Sequence, residues 1–209
     1  MDSGDLEQVY PVEEDTILLL EAAQEEVRPG DRVLEVGTGS GTIAAALTGP
    51  AAVIATDINP YAAAAARSLG LDVVRADLCS GLRGEFDLVI FNPPYLPTQD
   101  EERIDDWLER ALDGGESGRD VIERFDASVG SVLADGGRVL MVISSLTGPV
   151  EVARIFLRTG FSTRVVRRRA VEGGEELMVL RCVRTAAVPQ RSLGGMFPSR
   201  RTGEDSSDR

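Results

Sequence analysis

The chain has 209 residues, of which 35 are acidic and 22 basic, with no histidine and a net charge of −13. All 22 basic residues are arginine, so lysine is absent too. These absences exclude a Ser-His-Asp or Cys-His nucleophile, a histidine metal site, a Schiff base and a phosphate-loop lysine. Any catalysis must run on carboxylates, amides, hydroxyls, backbone groups and a cofactor.

The length suits one core, and no repeat of solenoid period is visible. Residues 1–9 are expected to be frayed and residues 10–184 to form one domain. The stretch 185–209, rich in Pro, Gly, Ser and Arg, is expected to be disordered. No apolar run of about 18 residues occurs and the N-terminus is acidic, so neither a membrane span nor a signal peptide is predicted and a cytoplasmic location is expected. Cys79 and Cys182 are isolated, which supports neither a disulfide framework nor a metal site. Residues 1–130 hold 27 acidic residues and 9 arginines, whereas residues 131–209 hold 8 and 13. Such acidity disfavours nonspecific nucleic-acid binding by the main body. The cluster Arg164, Arg167, Arg168 and Arg169 is the exception, either a solvated face or an RNA contact. Heavy acidity without lysine is also read as adaptation to a salty, halophilic cytoplasm, where charge is screened over a few ångströms.

Glu13-Glu14-Asp15-Thr16 is an acidic helix start, and Arg28-Pro29-Gly30-Asp31 ends that helix. Residues 32–36 form a β-rich run that feeds the glycine turn Gly37-Thr38-Gly39-Ser40-Gly41 and a helix from Thr42. Residues 52–57 form a second strand ending on Asp57, and an alanine-rich helix follows Asn59-Pro60. Residues 71–75 form a third strand ending near Asp77, and residues 86–90 a fourth. Ile104, Trp107, Leu108, Ala111 and Leu112 sit at helical spacing in a lid-like connection, with Trp107 expected to anchor a short helix to the core. A helix over 119–133, a turn at Asp135-Gly136-Gly137, a strand over 138–143, a helix over 150–159 and strands over 162–168 and 175–183 complete the chain. The alternation predicts an α/β fold with a doubly wound, mostly parallel seven-stranded sheet covered by helices on both faces. Ligands in such sheets bind at the carboxyl ends of the strands.

The most informative stretch is Asn92-Pro93-Pro94-Tyr95, placed directly after the fourth strand. Two consecutive prolines fix the backbone, so the Pro93 carbonyl has a set direction. The Asn92 side-chain oxygen and the Pro93 carbonyl can accept both hydrogens of a planar NH2 group, with the Tyr95 ring over its plane. The same residues also suit a plain proline-rich turn. In the glycine turn, the third glycine of a dinucleotide fingerprint is replaced by Thr42, which disfavours a dehydrogenase. Glu35 would repel a pyrophosphate but suits a ligand bearing an ammonium or sulfonium group. Asp57 can accept ribose hydroxyls, and Asp77 an adenine amino group.

With these residues in view, the chain resembles the class I S-adenosylmethionine-dependent methyltransferases, and in particular the HemK-type glutamine methyltransferases of the archaeal and eukaryotic branch. The resemblance covers roughly residues 9–183. It implies a Rossmann-like fold and S-adenosylmethionine as cofactor, with the first motif at Glu35 to Gly41, including Gly37, Gly39 and Gly41. It further implies a ribose-binding acid at Asp57, an adenine-side motif at Asp77-Leu78, and a catalytic motif at Asn92, Pro93, Pro94 and Tyr95, with Asn92 also beside the cofactor. Tyr10 with Glu14 to Leu20 is similar to the branch's N-terminal signature, whose threonine, here Thr16, contacts the cofactor. Gly114-Gly115, Gly118-Arg119, Val121, Arg124 and Phe125 resemble a second signature, and Leu112 departs from a tryptophan found in some relatives. The implied activity is methylation of the glutamine side-chain nitrogen in the GGQ motif of a class I translation release factor. An implied partner is a small zinc-ribbon activator pairing along the third strand, near Leu71 to Arg75, with Val73 and the helix from Ala62 as further contacts. Three other readings stay open: an exocyclic-amine methyltransferase of RNA or DNA, a lysine methyltransferase, and a cofactor-binding subunit without catalysis.

Overall fold

The computed structural model describes Gly4, residues 7–98 and residues 106–185. Its strands are β1 (Arg32–Val36), β2 (Ala52–Asp57), β3 (Asp72–Arg75), β4 (Phe86–Phe91), β5 (Leu133–Ser144), β6 (Phe161–Ala170) and β7 (Glu176–Arg184). Its helices are α1 (Glu14–Glu26), α2 (Thr42–Ala46), α3 (Pro60–Ser68), α4 (Trp107–Arg110), α5 (Asp120–Val129) and α6 (Pro149–Arg158). The strands make one seven-stranded sheet in the order β3-β2-β1-β4-β5-β7-β6. Strands β1 to β5 pair in parallel, while β7 runs antiparallel between β5 and β6. Chain direction across the sheet reverses at β1 and β4, which opens a crevice beyond their carboxyl ends.

The central strands read as continuous apolar runs because helices cover both faces. Leu34, Val36, Val89 and Phe91 face α5 and α6, where Phe91 meets Phe125 with ring centroids 4.5 Å apart. Val33, Leu88 and Ile90 face α1 and α2, packing on Leu18, Leu19, Ala22 and Ile43. Side chains alternate along a strand, so Asn92, two residues beyond Ile90, emerges on the α1 side. That register decides which helix the catalytic motif meets.

Several expectations change. Gln8 and Val9 are docked rather than frayed: Val9 is buried, and the Gln8 carbonyl accepts from Asn59 Nδ2 at 2.7 Å. The helix expected over 119–133 stops at Val129 because Leu133 already pairs with Phe86. Residues 135–137 therefore form an excursion within β5 rather than a turn before it; pairing resumes at Leu88 with Arg138. Trp107 is half-buried rather than part of the core: it lines the crevice, and its amide donates to Gln8 Oε1 at 3.2 Å. Ile104 and the tail from residue 186 lie outside the described residues, while Thr185 still donates to the Gly160 carbonyl.

The arginine cluster divides in two: Arg164 and Arg168 are exposed on a solvated face, as one of the two readings expected, whereas Arg167 and Arg169 are half-buried. Its odd-numbered members lean onto α1, where Arg167 pairs with Glu21 at 2.8 Å and with Glu25, and Arg169 with Glu14 at 3.1 Å and Glu21 at 2.8 Å. Arg168, on the opposite face, pairs with Glu176. At the amino ends of the strands, Arg138 is only 2% exposed and all three of its guanidinium nitrogens donate. It donates to Glu26 Oε1 at 2.9 Å, the Asp87 carbonyl at 2.9 Å, Asp31 Oδ2 at 2.6 Å and the Glu26 carbonyl.

Candidate active site

A cavity of about 330 Å³ occupies the crevice, lined by Thr16, Glu35, Gly37, Gly39, Asp57, Asp77, Leu78 and all four residues Asn92 to Tyr95. Gly41 is the exception among the expected ligand-facing residues. It stands behind the loop against α3, where an added Cβ would meet the Ala66 Cα and Leu71 Cδ1 at 3.0 Å. Its absent side chain serves helix packing rather than ligand approach.

The carboxylates at the strand ends hold the loop as well as face the cavity. Glu35 Oε2 accepts from Thr38 Oγ1 at 2.6 Å and from the Ala44 amide at 3.1 Å, tying β1 to α2. Both bonds fall on Oε2, and Glu35 also lines the cavity. Burial pushes the Glu35 carboxyl up to about 7, against the pull of those two bonds. Asp57 Oδ2 accepts from the Gly39 amide and Oδ1 from the Asn59 amide, both at 2.8 Å. Burial still leaves it above the usual carboxylate range, despite these amides. Asp77 is not free either, because Arg124 of α5 donates to its Oδ2. Leu78 is the non-glycine residue with positive φ, at 53°, among those described. A leucine in that region costs about 1 kcal/mol or more, the kind of strain that collects at ligand sites.

Glu35 carries a pH prediction. Its folded value lies above the ordinary 4.5, so its favourable contribution is complete below pH 4.5 and lost as pH rises through about 7. That loss is on the order of 3 kcal/mol. Glu35→Gln keeps one oxygen to accept from both Thr38 and Ala44. Urea unfolding from pH 4.5 to 8 is expected to show the wild type losing stability relative to this variant, and parallel curves would refute the assignment.

The residue that organises the catalytic stretch is Asp15, which is 3% exposed at the start of α1. Its Oδ2 accepts from Asn92 Nδ2 at 3.1 Å, Tyr95 Oη at 3.1 Å and Tyr10 Oη at 3.3 Å. Its Oδ1 accepts from the Thr16 amide at 2.6 Å and hydroxyl at 3.3 Å. Burial, then the charge of Asp15, pushes both phenols far above their ordinary value, so they remain donors. Because Asp15 takes the amide nitrogen of Asn92, the orientation of that amide is set. Asn92 Oδ1 is left buried without a hydrogen-bond partner. No described residue donates to the Pro93 carbonyl either. A buried acceptor without a partner is uncommon in native proteins and marks a place where a donor arrives. The arrangement can receive a planar NH2 group.

The glycines of the second signature support this stretch from behind. Gly118, at φ 71°, lies against the Tyr95 carbonyl, and a Cβ on Gly114 would stand 2.7 Å from the Leu96 carbonyl oxygen. Thr147 Oγ1 donates to the Tyr95 carbonyl at 3.2 Å, and Arg119 to the Thr147 carbonyl at 2.7 Å. Gly118→Ala is expected to displace Tyr95 and reduce turnover by about 10²-fold, the scale of a misplacement near 1 Å. Calorimetric cofactor affinity should be unchanged; equal turnover would show that the loop tolerates the shift. Asp15, Arg124 and Thr147 were not singled out individually from the sequence. For Asp15 the available signal was its place in the N-terminal signature beside Thr16.

The family described as Ribosomal protein L11 methyltransferase (PrmA) matches residues 13–89, the stretch from α1 into β4. A Methanocaldococcus jannaschii protein named, provisionally, a protein N5-glutamine methyltransferase is 39% identical over 83% of this chain and 90% of its own length. Methyltransferase HEMK2 of Homo sapiens is 37% identical over 85% of this chain and 91% of its own. The chain belongs to the HemK-type glutamine methyltransferase family. Its seven-stranded, mostly parallel sheet agrees with that membership. The solved E. cuniculi Mtq2-Trm112 complex, described as responsible for methylation of the eRF1 translation termination factor, contains a similar chain. That match has a TM-score of 0.71 at 30% identity, covering 85% of this chain and 99% of that one. Among the described residues of this HemK-type chain, no cluster of His, Cys, Asp or Glu suits a metal ion, and no helix is long and apolar enough to cross a membrane.

Proposed function

We propose that this HemK-type chain transfers a methyl group from S-adenosylmethionine to the side-chain nitrogen of the glutamine in the GGQ motif of a class I release factor. The observation that carries this reading is the buried Asn92 Oδ1, left without a partner while Asp15 holds the amide nitrogen. The naming of relatives for glutamine methylation, and of the Mtq2-Trm112 complex for methylation of eRF1, supports the substrate class.

The lining fits the cofactor. Gly39 has nothing within 4 Å of an added Cβ, so the loop leaves open space that a ligand can fill. The cavity also has the size of small-ligand sites. Asp57 would hold the ribose hydroxyls. The second oxygen of Asp77 and the backbone of Leu78 would face the adenine, and Thr16, Gly37 and Gly39 the amino-acid end, with Glu35 securing the loop beneath. When bound, S-adenosylmethionine supplies an electrophilic methyl.

An amide nitrogen is a weak nucleophile because its lone pair is delocalised into the carbonyl. Asn92 Oδ1 and the Pro93 carbonyl accept its two hydrogens, which fixes the amide plane and draws electron density toward nitrogen. The Tyr95 ring limits rotation of that plane, and its hydroxyl stays on Asp15. As the N–CH3 bond forms and the S–CH3 bond breaks, the nitrogen becomes strongly acidic and sheds one proton to water, so positioning and electrostatics can supply most of the acceleration without a strong base.

A small partner subunit, of zinc-ribbon type by the resemblance, would add to the free edge of β3. Among the described residues that strand pairs only with β2, and Val74 on it and Leu69 before it are 44% and 55% exposed. Ala62, expected as a contact, is only 2% exposed and belongs to the core, whereas Leu71 and Val73 are half-buried.

The deciding experiment transfers labelled methyl to a purified release factor, to its GGA variant and to total RNA, with and without the small partner. Label on GGQ and not on GGA supports the proposal. Label on RNA alone moves Asn92 and Tyr95 to an exocyclic base amine, and label on none of these in either condition refutes it.

A further inference from the structure

Residues 8–11 form a strap that joins the two rims of the crevice. On the β2 side, the Gln8 carbonyl accepts from Asn59 Nδ2 at 2.7 Å. Asn59 donates its own amide to Asp57 Oδ1 at 2.8 Å, and its Oδ1 accepts from the Tyr61 amide of α3 at 2.9 Å. On the other side, Gln8 Oε1 accepts from the Trp107 amide at 3.2 Å. Asn59 follows β2 and Trp107 lies in the connection after β4, with β1 between those strands, and both residues line the cavity. Gln8 therefore ties together two walls that the sheet keeps apart. The rest of the strap is fixed: Val9 is buried, and Tyr10, which lines the cavity with Pro11, donates from Oη to Asp15 Oδ2 at 3.3 Å.

The two ties are unequal. Asn59 is held by both β2 and α3, whereas Trp107 starts α4, a single turn with no buried residue. Its amide is among those that a helix start leaves without a helical partner. Segments with so little buried surface open at low cost, so the bond from Trp107 to Gln8 is the one that gives way. Gln8 itself stands outside the lining and acts on a ligand only through the walls it joins. We propose that Gln8 gates the S-adenosylmethionine site, an assignment that rests on the cofactor reading above. Its bond to Trp107 breaks while the cofactor enters or leaves, and is intact before and after. Such a bond slows both directions by the same factor and leaves the affinity unchanged. Closed, the strap retains the cofactor through the encounter with a large substrate.

The test uses the full chain, with its small partner where that is required, and labelled S-adenosylhomocysteine. A chase with unlabelled compound reads koff, calorimetry reads Kd, and their ratio gives kon. Gln8→Met keeps the length of the side chain and removes the acceptor. It is expected to raise koff and kon by about fivefold each, the conversion of about 1 kcal/mol for one neutral hydrogen bond. Kd should move by less than about twofold, since the same factor enters both rates. Gln8→Glu retains an oxygen for the Trp107 amide and should keep both rates near wild type, which separates the bond from simple packing. An unchanged koff in Gln8→Met, or an equal rise in both variants, would overturn the gate while leaving cofactor binding intact. A Kd that rises in step with koff at constant kon would overturn it too, because Gln8 would then hold the loaded state rather than bar the passage. No binding of S-adenosylhomocysteine to wild type or variants would sink the gate and the cofactor reading together.

Discussion

Asn92→Ala is expected to lower kcat for glutamine methylation by about 10³-fold, near the upper range for loss of one preorganised polar group. The substitution removes the acceptor that receives one amide hydrogen, and it also releases Asp15 from the donor that Asn92 presents at 3.1 Å. Tyr95 and Tyr10 still donate to Asp15, so the ring stays in place and the fold is retained. Cofactor affinity by calorimetry should therefore change little while single-turnover transfer collapses. Asn92→Asp separates acceptor chemistry from amide chemistry. It keeps an oxygen toward the substrate but sets a second carboxylate against Asp15, where like charges repel. Its activity should fall as far as that of the alanine variant. Unchanged transfer in either variant would show that the methyl acceptor lies elsewhere.

Arg138→Met is expected to cost about 3–5 kcal/mol of stability, the cost of leaving buried charge without its partner. The guanidinium bridges the end of α1 through Glu26, the entry to β1 through Asp31 and the backbone of β4 through Asp87. Methionine fills comparable space but leaves the buried Asp31 and Glu26 without this cation. Arg138→Lys should recover only part of the loss, because an ammonium cannot match a fork that serves four acceptors. The acid limb carries the signature. Burial works to raise Asp31, but the Arg138 bond, with the Arg28 amide behind it, holds the carboxyl below its ordinary 3.8. Its contribution is thus present above pH 3.8 and lost as pH falls through the lowered folded value. Without Arg138 that carboxyl rises, so the variant's deficit should shrink in acid. Urea unfolding at pH 7 and pH 4 measures both, and a deficit under 1 kcal/mol at pH 7 would show the network to be replaceable.

The sheet was legible because its signals are local. Residues 32–36 and 52–57 coincide with β1 and β2, since apolar runs bounded by glycine and acidic residues leave little choice. Boundaries failed where tertiary pairing overrode local preference, as at Leu133, which the sheet takes from the preceding helix. Of the arginine cluster, Arg167 and Arg169 escaped the solvated-face reading because their partners Glu14, Glu21 and Glu25 lie more than 140 residues away and only β6 packing brings them together. Asp15 is a similar case: nothing near it in sequence shows that Asn92 and Tyr95, 77 and 80 residues on, will converge on its Oδ2. Gly41 shows the converse, since a glycine inside a ligand-loop motif can be required by the helix behind it.

If Asn92 and Pro93 receive the substrate amide as proposed, that pair of acceptors also limits how many times one substrate is modified. A primary amide fills both with hydrogen, whereas its singly methylated product has one hydrogen left and presents a methyl group to the other acceptor. The product therefore returns the pocket to a state with a buried oxygen unsatisfied, a penalty of about 1–3 kcal/mol. That penalty favours departure of the modified side chain and disfavours a second transfer, so the reaction ends at the monomethyl amide.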